Sequence, residues 1–266
     1  MTVLQLTSRD NPLLKKFRLV SSGSRRAPKE LVIAEGIRVL EEAERAASDI
    51  DAVVVSADFG SVPRERALLD HWLSRGVRLY KTSASLFHTI STVETPQGAT
   101  ALVRVLERRL DSVRATDDSL ILCASGIQDP GNLGTLIRTA AAAGASLVCT
   151  SGGTVSARSP KAIRSSAGAF FRIPVAEHTK ASELCKYCRI HSIRIYRTDA
   201  REGVLYTEAD LKSRCAILLG NEGSGIASGE FQDCPAIRIP MAEGIESLNV
   251  AIAGAVILFE ALRQRL

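Results

Sequence analysis

A few polar side chains in the second half of this 266-residue chain stand where chemistry could be done. Ser247 and Asn249 sit two apart at the mouth of an apolar run, Val250 to Phe259. Their simplest role is a cap, since Ser and Asn accept hydrogen bonds from the free N–H groups of a helix start. Arg138 follows Asn132 in QDPGNLGTLIRTAAAAGA, a turn running into an Ala-rich helix. A guanidinium on such a helix needs a partner, for instance the carboxylate of Glu222 in a salt bridge. It stays charged, so it is a poor base and a good electrostatic stabiliser. Glu222 itself lies in CAILLGNEGSGI, a strand entering a glycine-rich turn. Turns of that kind let a ligand approach the backbone closely. Several chemistries lose ground. No Gly-Lys dipeptide occurs, so a Walker A loop is absent. Gly220, Gly223 and Gly225 have the wrong spacing for a dinucleotide fingerprint. No Ser/His pair with a nucleophile elbow is visible.

These residues need elements to hold them. Ile237, Ile239 and Met241 alternate with polar or turn residues as a strand does, Ala242-Glu243-Gly244 breaks the run, and a helix closes on Glu260, Arg263 and Arg265. A helix apolar nearly all round packs into a core or a subunit interface. Upstream, strands at Leu120–Ala124, Ser146–Thr150, Ile173–Ala176, Ile193–Tyr196 and Ala216–Leu219 alternate with helices at Asn132–Ala143, Pro160–Ser166 and Ala181–His191. The first half alternates too. It has strands at Leu31–Ala34, Ala52–Ser56, Val77–Tyr80 and Ala99–Leu106, and helices at Leu13–Val20, from Gly36 to about Ala47, at Pro63–Ser74 and at Ser85–Ile90. Both halves therefore read as α/β layers. The charged, aperiodic stretch 107–119 reads as a linker, so the expected division is 1–106, 107–119 and 120–266.

Charge is uneven. Residues 1–29 carry Arg9, Lys15, Lys16, Arg18, Arg25, Arg26 and Lys29 against the single acid Asp10, whereas the chain from Asp117 onward is nearly balanced. A basic, foldable N-terminal end suits a surface that grips a nucleic-acid backbone. Its bland alternative is a solubilising arm. Met1 is followed by no apolar signal segment, and the longest apolar run is too short to span a bilayer, so no membrane partner is expected. Scattered cysteines point to reduced thiols in a cytoplasm. Cys185 and Cys188 have metal-type spacing but no second pair, so buried structural thiols are expected and no metal.

The blocks QDPGNLGTLIRTAAAAGA, CAILLGNEGSGI and IPMAEGIESLNVAIAGAVILFEALRQR, in that order, resemble motifs 1, 2 and 3 of the SpoU/TrmH-type RNA 2′-O-ribose methyltransferases of the SPOUT superfamily. The first half, through Ser8-Arg9-Asp10-Asn11-Pro12, Lys15-Lys16 and Ala34-Glu35-Gly36-Ile37-Arg38, more weakly resembles the small α/β RNA-binding domain that precedes the catalytic domain in many such enzymes. The resemblance implies a C-terminal parallel α/β sheet tied in a deep trefoil knot, a homodimer packed through the last helix, and S-adenosyl-L-methionine as cofactor. It implies a cofactor site against Leu219, Gly220, Ile239, Pro240, Met241 and Leu248. It gives Arg138, Asn132, Glu222, Ser247 and Asn249 the catalytic floor. There Arg138 contacts the target nucleotide's phosphate and helps draw the ribose 2′-OH proton, and Asn132 orients the ribose or Arg138. Arg158 to Gly168 also resembles the family. Lys161 and Arg164 share a helix face there, so that Arg9, Lys15, Lys16, Arg38, Lys161 and Arg164 are the expected RNA contacts. The expected substrate is 23S rRNA. The alternatives are tRNA, or a non-catalytic RNA-binding ribosome-assembly factor that kept the fold.

Overall fold

The computed structural model describes residues 3–221 and 231–266. The chain forms two compact units. The first comprises Met1–Glu107 with Arg158–Arg172, and the second Arg108–Ala157 with Ile173–Leu266.

In the first unit the elements run β1 (Leu4–Leu6), α1 (Pro12–Ser21), β2 (Leu31–Glu35), α2 (Ile37–Arg45), β3 (Asp49–Ser56), α3 (Pro63–Ser74), β4 (Leu79–Thr82), α4 (Ala84–His88) and β5 (Ala99–Arg104). The strands form one mixed sheet in the order β1-β4-β3-β5-β2. β1, β4 and β3 pair in parallel, while β5 runs antiparallel to both β3 and β2. Every residue of β2, Leu-Val-Ile-Ala-Glu, is buried, and its one polar side chain, Glu35, is satisfied by Ser91 and Thr92. Asn11 caps α1 by accepting from the Leu13 N–H at 2.9 Å, and Pro12 occupies the first helical position, where its missing N–H costs nothing. Leu14, Phe17 and Val20 of α1 join Leu31, Ile33, Val54 and Leu102 in the core.

The second unit carries β6 (Leu120–Ala124), α5 (Pro130–Ala142), β7 (Leu147–Thr150), β8 (Val175–Ala176), α7 (Ala181–Ile190), β9 (Arg194–Thr198), β10 (Val204–Leu205), β11 (Cys215–Leu219), β12 (Ala236–Arg238) and α8 (Val250–Arg265). Its sheet order is β10-β12-β9-β11-β6-β7-β8, and every pairing is parallel. β6 and β11 are buried along their whole length, as central strands of a sheet covered on both faces must be. α8 packs on α5 and β11. The contact is close at Gly254, where a Cβ would lie 2.5 Å from Leu136 Cδ2 and 2.7 Å from Leu219 Cδ1.

Helix α6 (Pro160–Ser165) lies between β7 and β8 in the chain but packs on β2 of the first unit. The reason is close fit. Gly168 has φ +88°, and a Cβ there would stand 2.5 Å from Glu42 Cβ on α2. Arg172 pairs with Glu42 at 3.5 Å, and Arg158 donates to the Lys29 carbonyl at 2.8 Å. The division expected from the sequence places Arg158–Arg172 with the second half, whereas the segment belongs to the first unit. That division also makes 107–119 a bare linker, yet Leu110 is buried in the second unit's core and the Tyr187 hydroxyl donates to the Val113 carbonyl at 2.7 Å. β1 and β10 were not anticipated, because strands of three and two residues are too short to show a period. Among the described residues no helix is long and apolar enough to cross a membrane.

Candidate active site

Parallel sheets bind ligands beyond the carboxyl ends of their strands. The second unit has a cavity of about 620 Å³ in that position. Leu219 and Gly220 at the end of β11, Ile239 and Met241 after β12, and Ser247 and Leu248 before α8 all line it. Its size lies within the ~300–1,000 Å³ typical of small-molecule and cofactor sites. Apolar walls come from Leu219, Ile237, Ile239, Met241 and Leu248, with Val250, Ala253 and Ile257 of α8 below. The strand ends beside it are tied together. The Ser125 N–H donates to the Leu219 carbonyl at 2.8 Å, and Asn221 Nδ2 donates to the Gly126 carbonyl at 2.8 Å.

The opposite wall is one that sequence reasoning missed. Arg197 and Thr198 end β9, and Asp199, Ala200 and Arg201 follow it. Asp199 accepts from the backbone N–H groups of Arg201 at 2.9 Å and Glu202 at 3.0 Å, and from Arg197 Nη1 at 2.8 Å. The Arg201 N–H first, then those of Glu202 and the Arg197 side chain, hold the Asp199 carboxyl below its ordinary value against the cost of burial. Arg197 Nε is buried and has no hydrogen-bond partner among the described residues. The expected strand Ile193–Tyr196 stops just short of these residues, since β9 runs on to Thr198. The adjacency of β9 to β11 was not visible in the sequence, because sheet order follows from packing rather than chain order.

Asn249 caps α8, its Oδ1 accepting from the Ala251 N–H at 2.9 Å and the Ile252 N–H at 3.3 Å. Its Nδ2 donates to Asn132 Oδ1 at 3.1 Å. Asn132 is fixed in turn, because its N–H donates to Asp129, the cap of α5, at 2.9 Å. Motifs 1 and 3 therefore meet through an amide pair at two helix starts. Arg138 lies on the exposed side of α5, and among the described residues it makes no hydrogen bond or ion pair. Glu222, its expected partner, falls outside the described residues. Residues 119–259 match the family model described as the SpoU rRNA methylase family. The chain belongs to that family.

Residues 11–101 match the MRM3-like substrate binding domain. Over 96% of this chain and 98% of its own length, a *Bacillus subtilis* (strain 168) protein is 29% identical; it is named 23S rRNA (guanosine(2553)-2′-O)-methyltransferase RlmP. An AdoMet-bound rRNA methyltransferase from *Sinorhizobium meliloti* superposes with a TM-score of 0.87 at 28% identity, covering 99% of each chain. The SpoU methyltransferase AviRb from *Streptomyces viridochromogenes*, in complex with AdoMet, gives 0.84 at 25% identity, covering 96% of this chain and 98% of that one.

The expected RNA contacts of the first unit divide by their partners. Arg9 is exposed. Lys15 pairs with the exposed Asp10 at 3.0 Å, a contact weak enough to give way to a phosphate. Lys16 is committed differently. It pairs at 2.9 Å with Asp51, which also holds Arg78 and Arg104. Burial raises the Asp51 carboxyl, but Lys16, Arg78 and Arg104 together outweigh it and leave the group below its ordinary value. Arg38 and Arg164 line one small cavity, and Lys161 is exposed at the start of α6. The Cys185-Cys188 pair sits on α7. Cys188 is buried in the core with its thiol pushed up to about 12 by burial, and Cys185 packs against that core.

Proposed function

We propose that this chain is an S-adenosyl-L-methionine-dependent RNA ribose 2′-O-methyltransferase acting on 23S rRNA. The observation that carries the reading is the convergence of Leu219, Gly220, Ile239, Met241 and Leu248 on one cavity beside the Asn132–Asn249 pair. The cavity fits the cofactor's chemistry. Met241 and Leu248 offer apolar surface for an adenine, the strand-end backbone at Leu219-Gly220 offers polar groups for its edge, and Arg197, Asp199 and Ser247 offer polar contacts for the rest. Bound there, S-adenosylmethionine supplies a methyl group already activated by a sulfonium leaving group.

The chain's own residues must then place a ribose hydroxyl and handle one proton. Arg138 remains protonated, so it acts on charge. It holds the target nucleotide's phosphate and favours the developing alkoxide, and the phosphate takes part in receiving the 2′-OH proton. Asn132 orients the ribose edge and is itself oriented by Asn249. Ser247 completes the polar floor, and Glu222 steadies Arg138. Arg9, Lys15, Arg38, Lys161 and Arg164 grip RNA, while Lys16 chiefly braces the fold through Asp51. Residues 1–106 serve as the RNA-binding part and 120–266 as the catalytic part, except that Arg158–Arg172 belongs with the former. The family reading also implies a trefoil knot in the C-terminal segment, a homodimer and a cytoplasmic protein. Ile252 and Phe259, 54% and 49% exposed on one side of α8, support the dimer, since an apolar stripe of that kind calls for a cover.

The test is methyl transfer from labelled cofactor to undermethylated 23S rRNA, 16S rRNA and bulk tRNA, with Arg138→Ala alongside. Label on 23S rRNA alone, lost in the variant, is expected. Label on tRNA alone would overturn the substrate, and no binding of S-adenosylmethionine would overturn the enzyme.

A further inference from the structure

The first unit contains its own cavity, of about 220 Å³, lined by residues from 35–39 and 93–97 and by Arg164 and Ala167. It is smaller than the ~300–1,000 Å³ of typical small-molecule sites, so a single planar base suits it better than a whole nucleotide. Two arginines from distant parts of the chain, Arg38 at the start of α2 and Arg164 on α6, reach it. Val39, Val93 and Ala167 supply apolar wall, and Thr95 and Gln97 supply polar edges. Arg38 is exposed, so the cavity opens to the surface.

The wall is built rather than incidental. Glu35, only 4% exposed at the end of β2, accepts from the Thr92 N–H at 2.7 Å and from the hydroxyls of Ser91 and Thr92. Thr92 Oγ1 in turn accepts from Arg164 Nη1 at 2.9 Å. A buried carboxylate thus fixes the 91–93 loop and, through Thr92, the arginine. Gln97 is fixed as well, its Oε1 accepting from the Ile37 N–H at 2.9 Å. That leaves the Gln97 NH₂ group, Arg38 and the remaining N–H groups of Arg164 as donors without hydrogen-bond partners among the described residues.

Resting on the RNA-methyltransferase reading, we propose that this cavity receives one unstacked RNA base with an acceptor-rich edge, guanine being the best match. Single-stranded RNA is read by splaying bases out, stacking them on aromatic rings or guanidinium planes and hydrogen-bonding their edges; here Arg38 and Arg164 supply the guanidinium planes. Guanine's O6 and N7 are paired acceptors suited to an arginine fork. Two guanidinium groups alone would also suit a phosphate; the apolar wall of Val39, Val93 and Ala167 and the small volume favour a base. The cavity therefore selects where the RNA docks, apart from the chemistry.

The test uses the full chain and fluorescein-labelled r(UUGUUU), followed by anisotropy against the same oligonucleotide lacking the guanine base. Base-specific stacking and hydrogen bonding predict binding about tenfold weaker without the base. Thr95→Trp, which fills the cavity, and Arg38→Met, which removes a donor from an exposed side chain, are each expected to erase that difference. Melting temperature and calorimetric binding of S-adenosylmethionine report whether each variant is folded. Equal binding of the abasic oligonucleotide would mean phosphate contacts only and overturn the proposal. So would a base preference that survives in both folded variants, or no measurable binding of r(UUGUUU). Methyl transfer, assayed separately on rRNA, judges the enzyme reading independently.

Discussion

Asn249 uses its two amide atoms for two jobs, and substitution can separate them. Oδ1 caps α8, while Nδ2 holds Asn132. Asn249→Ala removes both. Loss of the cap costs about 1 kcal/mol and loss of a net hydrogen bond about 1 more. The sum of about 2 kcal/mol should lower the melting temperature by about 4–8 °C in a chain of this size. Asn249→Ser keeps a good cap but cannot reach Asn132, so its loss should be about half as large. Activity should not follow that ranking. If Asn132 is a positioning residue held by Asn249, both variants release it equally, and kcat should fall about 10²-fold in each. Calorimetry with S-adenosylmethionine, melting curves and single-turnover methyl transfer on 23S rRNA give the three readouts. Full activity in Asn249→Ser would refute the reasoning. Activity losses that merely track melting temperature would refute it equally, because they would reduce Asn249 to a cap.

Other outcomes follow from the same geometry. Arg138→Ala should leave the melting temperature nearly unchanged, since exposed substitutions usually stay within about ±0.5 kcal/mol, while methyl transfer drops about 10²–10³-fold as for a lost electrostatic donor; unchanged turnover would remove Arg138 from the mechanism. Gly254→Ala gains about 1 kcal/mol of helix propensity but forces Leu136 and Leu219 apart at a cost of about 1–3 kcal/mol. Because Leu219 also lines the cofactor cavity, calorimetry should show weaker S-adenosylmethionine binding even if stability barely moves. Asp199 has a folded-state value below its ordinary 3.8, so its contribution to stability is present above that pH and is lost as pH falls through the folded value. Asp199→Asn should therefore be less stable than the parent at pH 7, and the gap should close as acid takes the parent through the lowered Asp199 value; a constant gap would refute the pairing. Cys188, with its thiol raised to about 12, should resist thiol reagents at pH 8 in the native protein and react on unfolding.

Much of this site was legible because its signals are local. The Ser247/Asn249 pair and the apolar run after it lie within a few residues, and Asn249 caps the helix that the run forms. The alternation of Ile237, Ile239 and Met241 gave the strand, but β12 closes at Arg238, short of Ile239 and Met241. The wall at Arg197–Arg201 was not legible, because its relevance comes from β9 lying beside β11 in the sheet. The pairing of Lys16 with Asp51 was not legible for the same reason, since the two lie 35 residues apart in the chain. The final helix was expected to be buried on most sides. Gly254, Ile257, Leu258 and Ala261 are buried, but Ile252 and Phe259 are open, and composition alone cannot say which face meets solvent.

The excursion at Arg158–Arg172 makes the two units inseparable by a single cut. A protease or a gene truncation acting near residue 107 would release a fragment lacking the piece that covers β2 and contacts Glu42. The remainder would carry that piece with nothing to cover. Mix-and-match exchange of RNA-binding halves between relatives should thus succeed only when the Arg158–Arg172 segment travels with the first 107 residues, so the two stretches are expected to change together in inheritance.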